Sequence, residues 1–346
     1  YITMDHKESP QELIKPIIEL FFSGQVQEAL DAVETLINDY PNEPLLFNIC
    51  GVFYKEIGQL DEAIKRFKKA LSINPNYAEA HNNLGVTLQN LGLMDEAVES
   101  YEKATTFKPD YAEAHNNLGV TLQNLGLMDE AVESYEKATT FRPDYAEAHK
   151  NLGNILFELG QLETAIKSYE KVIAIKPDYA EAHNNLGAAL QELGQLDMAT
   201  KNYEKALAIK PDYAEAHNNL GATLQELGQL DMATKNCEKA LAIKPDYAEA
   251  HNNLGNIFRE VGQPDMALKN YEKALAINPD YAVAHYNLGI VLKEFGQTDT
   301  AVKSFEKALA IQPDYVKAHH SLSILKKFTE NDTQITLMKS LLSNNN

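Results

Sequence analysis

Residues 78–111 read AEAHNNLGVTLQNLGLMDEAVESYEKATTFKPDY, and residues 112–145 repeat them with one change, Lys108 against Arg142. The same 34-residue pattern runs without insertion from Pro10 to Tyr315, nine units in all. A fixed period of roughly 20 to 50 residues marks a solenoid, a stack of like units rather than a globule around one pocket. Within this unit Ala80, Leu84, Leu88 and Leu91 recur at helical spacing, and so do Met94, Ala97, Val98, Tyr101, Ala104 and Thr105. Those are the inward stripes of two helices, each about 14 residues long. Gly92 suits the end of the first, Asp95 the dipole at the start of the second, and Pro109 its end. The unit is an antiparallel helical hairpin, and the fold class is all-α.

Counting Ala78 as the first position, all 17 glycines of the chain fall at two places in the repeat. Eight, from Gly51 to Gly289, occupy the eighth position inside the first helix. Glycine costs about 1 kcal/mol against alanine there, so close helix packing is expected. The other nine, Gly24 to Gly296, occupy the fifteenth position, the turn, and nine of the 13 prolines occupy the thirty-second.

The recurring Leu84-Gly85, Ala97, Ala104 and Pro109 resemble the tetratricopeptide repeat, over about nine tenths of the chain. The resemblance implies a right-handed α-solenoid, a superhelix whose first helices line a concave groove. The fourth position, often a large aromatic in that family, is mostly His here, as at His81. The expected organisation is a tail at 1–9, nine repeats at 10–315, a capping helix at 316–328 and an amphipathic helix or linker at 329–346. The repeat at 10–43 is divergent, keeping Gly24, Ala29 and Pro41. The cap would turn Lys326 and Lys327 to water, and Ile335, Leu337, Met338, Leu341 and Leu342 form the apolar side of the last segment.

The second, fifth, sixth, ninth, twelfth and thirteenth positions share a first-helix face outside the core stripe and are mostly polar. The sixth is the most regular: Asn83, Asn117, Asn151, Asn185, Asn219, Asn253 and Asn287. Beside it stand Asn82, Asn116, Asn184, Asn218 and Asn252 at the fifth and Gln89, Gln123, Gln191 and Gln225 at the twelfth. An amide offers a carbonyl acceptor and two N–H donors, which match a peptide main chain without demanding a particular side chain. Stacked helices lie about 8–10 Å apart and an extended peptide advances about 3.3 Å per residue, so one rung would meet about every third residue. These amides are the candidate peptide-binding residues. Glycosyltransferases of the O-linked N-acetylglucosamine type carry a similar asparagine ladder that holds substrate peptides.

Rows of Glu at the second position (Glu79 to Glu249) and the thirteenth (Glu158 to Glu294) imply a polar or basic extended partner, although exposed glutamates also simply aid solubility. The carboxylate clamp of chaperone-binding relatives wants Lys or Arg at positions held here mainly by Glu and Asn. With 50 acidic against 31 basic residues, a formal charge of -19 disfavours nucleic acid and acidic membrane surfaces.

No stretch approaches the roughly 18–20 apolar residues that span a bilayer. Cys50 and Cys237 read as buried free thiols, pointing to a reducing, cytoplasmic setting. Eight histidines recur at the fourth position one repeat apart, too far to converge on one metal, and read as packing residues. No phosphate-cradling loop or nucleophile motif is present, so no catalytic residue, metal or cofactor is assigned, and the chain reads as a non-enzymatic scaffold. Two alternatives stand beside that reading. Residues 321–346 resemble the junction of bacterial repeat-sulfotransferase fusions, which would make the chain the substrate-docking arm of a larger sulfotransferase or glycosyltransferase. Open solenoid ends would otherwise allow weak head-to-tail self-association in place of a monomer.

Overall fold

The computed structural model describes residues 9–325 together with 337, 338 and 340. Residues 1–8 of the N-terminal tail, the end of the cap with Lys326 and Lys327, and most of the amphipathic segment lie outside the described residues, as does most of the fusion-like junction. Among the described residues there are nineteen helices and no strand. The chain divides into two compact units, Tyr1–Ile175 and Lys176–Asn346.

In the first unit α1 (Pro10–Phe22) packs on α2 (Val26–Asp39), α3 (Pro44–Glu56) on α4 (Leu60–Ile73) and α5 (Ala78–Asn90) on α6 (Met94–Phe107). The pairs α7 (Ala112–Asn124) with α8 (Met128–Phe141) and α9 (Ala146–Glu158) with α10 (Leu162–Ile175) complete it. In the second unit α11 (Ala180–Glu192) pairs with α12 (Leu196–Ile209), and α13 (Ala214–Glu226) with α14 (Leu230–Ile243). There follow α15 (Ala248–Glu260) with α16 (Pro264–Ile277), α17 (Ala282–Glu294) with α18 (Thr298–Ile311), and a single last helix, α19 (Val316–Leu325), against α18. Each unit is an all-α solenoid of hairpins.

The repeat chemistry acts as the residues dictate. Ala80, Leu84 and Leu88 of α5 and Ala97, Tyr101 and Ala104 of α6 are buried. Leu91 is 42% exposed, contrary to its place in the expected stripe, because α5 has already ended at Asn90 and Leu91 is its cap residue. Gly92 then takes φ +78°, a conformation side chains resist. At the other end Lys108, the residue before Pro109, is driven to an extended φ of -134°, which stops α6 at Phe107. The eighth-position glycine is a contact site: a Cβ on Gly85 would stand 2.7 Å from the Tyr101 ring. At the N-terminal end Ile14, Ile17 and Phe21 of the divergent repeat bury against α3, with Phe21 and Phe53 stacked at 4.1 Å.

Candidate functional site

First helices of successive repeats touch: α3, α5, α7 and α9 in series in the first unit, and α11, α13, α15 and α17 in the second. Two rows of amide bonds tie them together. In the first unit Nδ2 of Asn83, Asn117 and Asn151 donates to Oδ1 of Asn48, Asn82 and Asn116 at 3.0, 3.1 and 3.0 Å. In the second, Asn219, Asn253 and Asn287 donate to Asn184, Asn218 and Asn252 at 3.2, 2.9 and 2.9 Å. Each bond runs from a sixth-position residue to the fifth-position residue of the repeat before.

The two positions therefore differ in kind. Asn82, Asn116, Asn184, Asn218 and Asn252 are buried, Asn82 at 1% exposure, under the following repeat. The fifth-position Asn48 also donates to the hydroxyl of the closing Tyr77 at 3.5 Å. Residues five and six stand about 100° apart around the helix, enough to put one beneath a neighbour and leave the other at the face. Asn83, Asn117, Asn151, Asn185, Asn219 and Asn253 are half-buried, and Asn287 is buried. After the inter-repeat bond Asn83, Asn117, Asn151, Asn219 and Asn253 each keep Oδ1 and one N–H unspent.

The second row begins with a tyrosine hydroxyl. Tyr101, Tyr135 and Tyr203 donate to Oε1 of Gln89, Gln123 and Gln191 at 2.9–3.0 Å. Thr121 and Thr223 of the next repeat add bonds to Gln89 and Gln191. Nε2 of Gln191 and Gln225 then reaches Glu226 at 2.7 Å and Glu260 at 3.0 Å. The twelfth-position glutamines are thus largely occupied by the stack. The structure shows an acceptor role for them that the sequence did not reveal, since the tyrosine twelve residues further on carries no mark of its partner.

The histidine tips are equally committed. Nε2 of His81, His115 and His149 lies 2.8–2.9 Å from the carbonyls of Pro75, Pro109 and Pro143, and those oxygens can only accept. Burial pushes His81 and His115 below the usual imidazole range, against the opposing effect of that bond. Burial pushes Cys50 and Cys237 up to about 12, leaving both thiols protonated. Tyr213 and Tyr247 are likewise held at about 12 by burial and neighbouring glutamates, so their hydroxyls stay donors. At this edge Lys108 lies 4.7 Å over Tyr111 and Arg142 3.6 Å over Tyr145. Part of the acid row is neutralised internally: Glu79 pairs with Lys108 at 3.0 Å and Glu147 with Lys150 at 3.4 Å. Among the described residues no three His, Cys, Asp or Glu side chains group as metal ligands.

Models of the TPR repeat match residues 51–92, 94–126, 128–160, 153–194 and 189–228, and tetratricopeptide-repeat models match 212–280 and 246–314. The chain belongs to the tetratricopeptide-repeat family. Among solved structures, a chain of the APC/C hetero-tetramer Cut9-Hcn1 is similar, with 18% identity over 87% of this chain and a TM-score of 0.59. This chain spans 59% of that one. A tetratricopeptide repeat protein from Parabacteroides merdae has 18% identity and a TM-score of 0.63, covering 72% of this chain and 98% of its own. Pseudomonas aeruginosa pilF has 19% identity and a TM-score of 0.52, covering 62% and 97%. At these identities the likeness is one of fold. No curated protein matches the chain. No helix among the described residues is long and apolar enough to cross a membrane.

Proposed function

We propose that this tetratricopeptide-repeat chain is a non-catalytic scaffold whose first-helix face holds an extended segment of another protein by its main chain. The observation that carries the reading is the unspent Oδ1 and N–H on the half-buried amides of Asn83, Asn117, Asn151, Asn219 and Asn253. Each of these amides is already fixed by its bond to the preceding repeat, as at Asn117 and Asn151. A donor and acceptor held in place before binding lose little side-chain freedom when a ligand arrives. One amide-to-main-chain bond nets only about 0.5–1.5 kcal/mol, so several rungs act together. The excess of acidic groups on the same face favours a polar or basic segment.

The test separates the two amide rows. A peptide selected from a random display library is titrated calorimetrically against the chain, against Asn117→Ala/Asn151→Ala and against Asn82→Ala/Asn116→Ala. Both variants lose the same inter-repeat bonds, so both melt lower. The sixth-position pair is expected to weaken binding by about 1–3 kcal/mol, two bonds' worth, and the fifth-position pair, which keeps the ligand-facing amides but unfixes them, to weaken it by less. Equal affinities for all three proteins would sink the reading.

A further inference from the structure

The tyrosine hydroxyl of the second helix does not always use the twelfth position. In two repeats the acceptor is at the ninth: Tyr169 donates to Asn154 at 2.9 Å in the first unit, and Tyr271 to Asn256 at 2.7 Å in the second. In two others the ring is a phenylalanine, Phe67 or Phe305, with no hydroxyl to satisfy. In all four the twelfth residue is no longer glutamine. It is Phe157, Arg259, Lys55 or Lys293. Where Tyr101, Tyr135 and Tyr203 need the twelfth residue as acceptor, glutamine is retained. Gln225 alone persists without need, opposite Cys237. The stack thus dictates the twelfth residue in some repeats and releases it in others, and a released residue on this face is available to a ligand.

Two released positions fall on touching helices of the second unit, Arg259 on α15 and Lys293 on α17. Arg259 is half-buried and Lys293 exposed, and neither forms an ion pair with Glu260, Glu294 or any other described residue. Glu260 is already engaged by Gln225. The acidic second-position row stops at the same place: Glu181, Glu215 and Glu249 are followed by Val283. At the second position Glu gives way to Val283, and at the twelfth Gln gives way to Arg259 and Lys293, while Glu260 and Glu294 stay beside them. We infer that Arg259 and Lys293 set side-chain specificity, receiving a carboxylate side chain of the bound segment on an otherwise acid-rich surface. This rests on the reading that the face holds an extended peptide. A guanidinium offers a planar pair of donors to a carboxylate, which an amide cannot match in charge.

The experiment takes peptides selected from a random display library on the full chain. One carrying Asp or Glu is compared with its Asn or Gln analogue, on the parent, on Arg259→Gln/Lys293→Gln and on Asn219→Ala/Asn253→Ala. Glutamine is the residue of the sister repeats at this position, so the double variant is expected to keep the parent's helical signal. The parent should prefer the acidic peptide by up to about fivefold, as one partly exposed pair supplies, and the double variant should bind both peptides equally. An unchanged preference in the double variant, or selection that enriches no acidic residue, overturns the inference. Loss of preference in that variant alongside undiminished affinity in Asn219→Ala/Asn253→Ala would keep this assignment and remove the main-chain reading instead.

Discussion

A buried imidazole that donates to a proline carbonyl makes a small site sensitive to acid. His81 is 7% exposed, and burial holds its proton affinity below the ordinary 6.5, as at His115. Between the lowered folded value and 6.5 the unfolded chain binds more protons than the folded one, so stability falls as pH drops through that window and levels off below it. Thermal melts from about pH 7.5 to about pH 5.5 should show a declining midpoint, and His81→Gln/His115→Gln should flatten the decline. A midpoint equally pH-dependent in the variant would place the sensitivity elsewhere. At this scale the sequence was half legible. That histidine packs and that Asn83 faces outward follow from periodicity alone. That Asn82 lies under the next repeat does not, because a neighbour's position over one residue of a polar pair is set by the crossing of helices 34 residues apart.

The helical hairpin was legible almost entirely, since glycine, proline and the apolar stripes each impose a local constraint that needs no distant partner. Leu91 fell outside its stripe because the helix ended one residue before it. The two glycine classes then make opposite demands on a test. Gly92 has open space around it and a positive φ, so Gly92→Ala meets only backbone strain, about 1–2 kcal/mol. Gly85 has ordinary helical geometry but no room, with the Tyr101 ring 2.7 Å from where a Cβ would stand. The roughly 1 kcal/mol of helix propensity that alanine brings is outweighed by overpacking of about 1–3 kcal/mol or more. Urea denaturation should therefore show Gly85→Ala destabilised despite its better propensity. A stabilised Gly85→Ala would mean the ring yields freely and that the eighth-position glycine is not a packing requirement.

Near-identity of neighbouring repeats allows a test of how the stack as a whole holds together. Deleting residues 112–145 joins Tyr111 to Ala146, and the new junction has the same residues as the old one except Lys108 in place of Arg142. In a stack whose stability is a sum of repeat and nearest-neighbour terms, this removes one repeat and one interface and strains nothing. The shortened chain should fold, with an m-value in urea lower by about a tenth, following the surface lost, and a midpoint only slightly reduced. Failure to fold would show that the units depend on contacts beyond adjacent repeats. The same deletion removes one rung, Asn117, and with it the bond that Asn117 makes to Asn82. Asn151 would then inherit Asn82 as its acceptor, keeping the ladder continuous but one step shorter. If the rungs hold a ligand's main chain independently, affinity for a long selected peptide should fall by about 0.5–1.5 kcal/mol, a single hydrogen bond's worth. A ligand that spans fewer rungs than remain should bind as before, so a length series of one peptide on both proteins reads out how many rungs it engages.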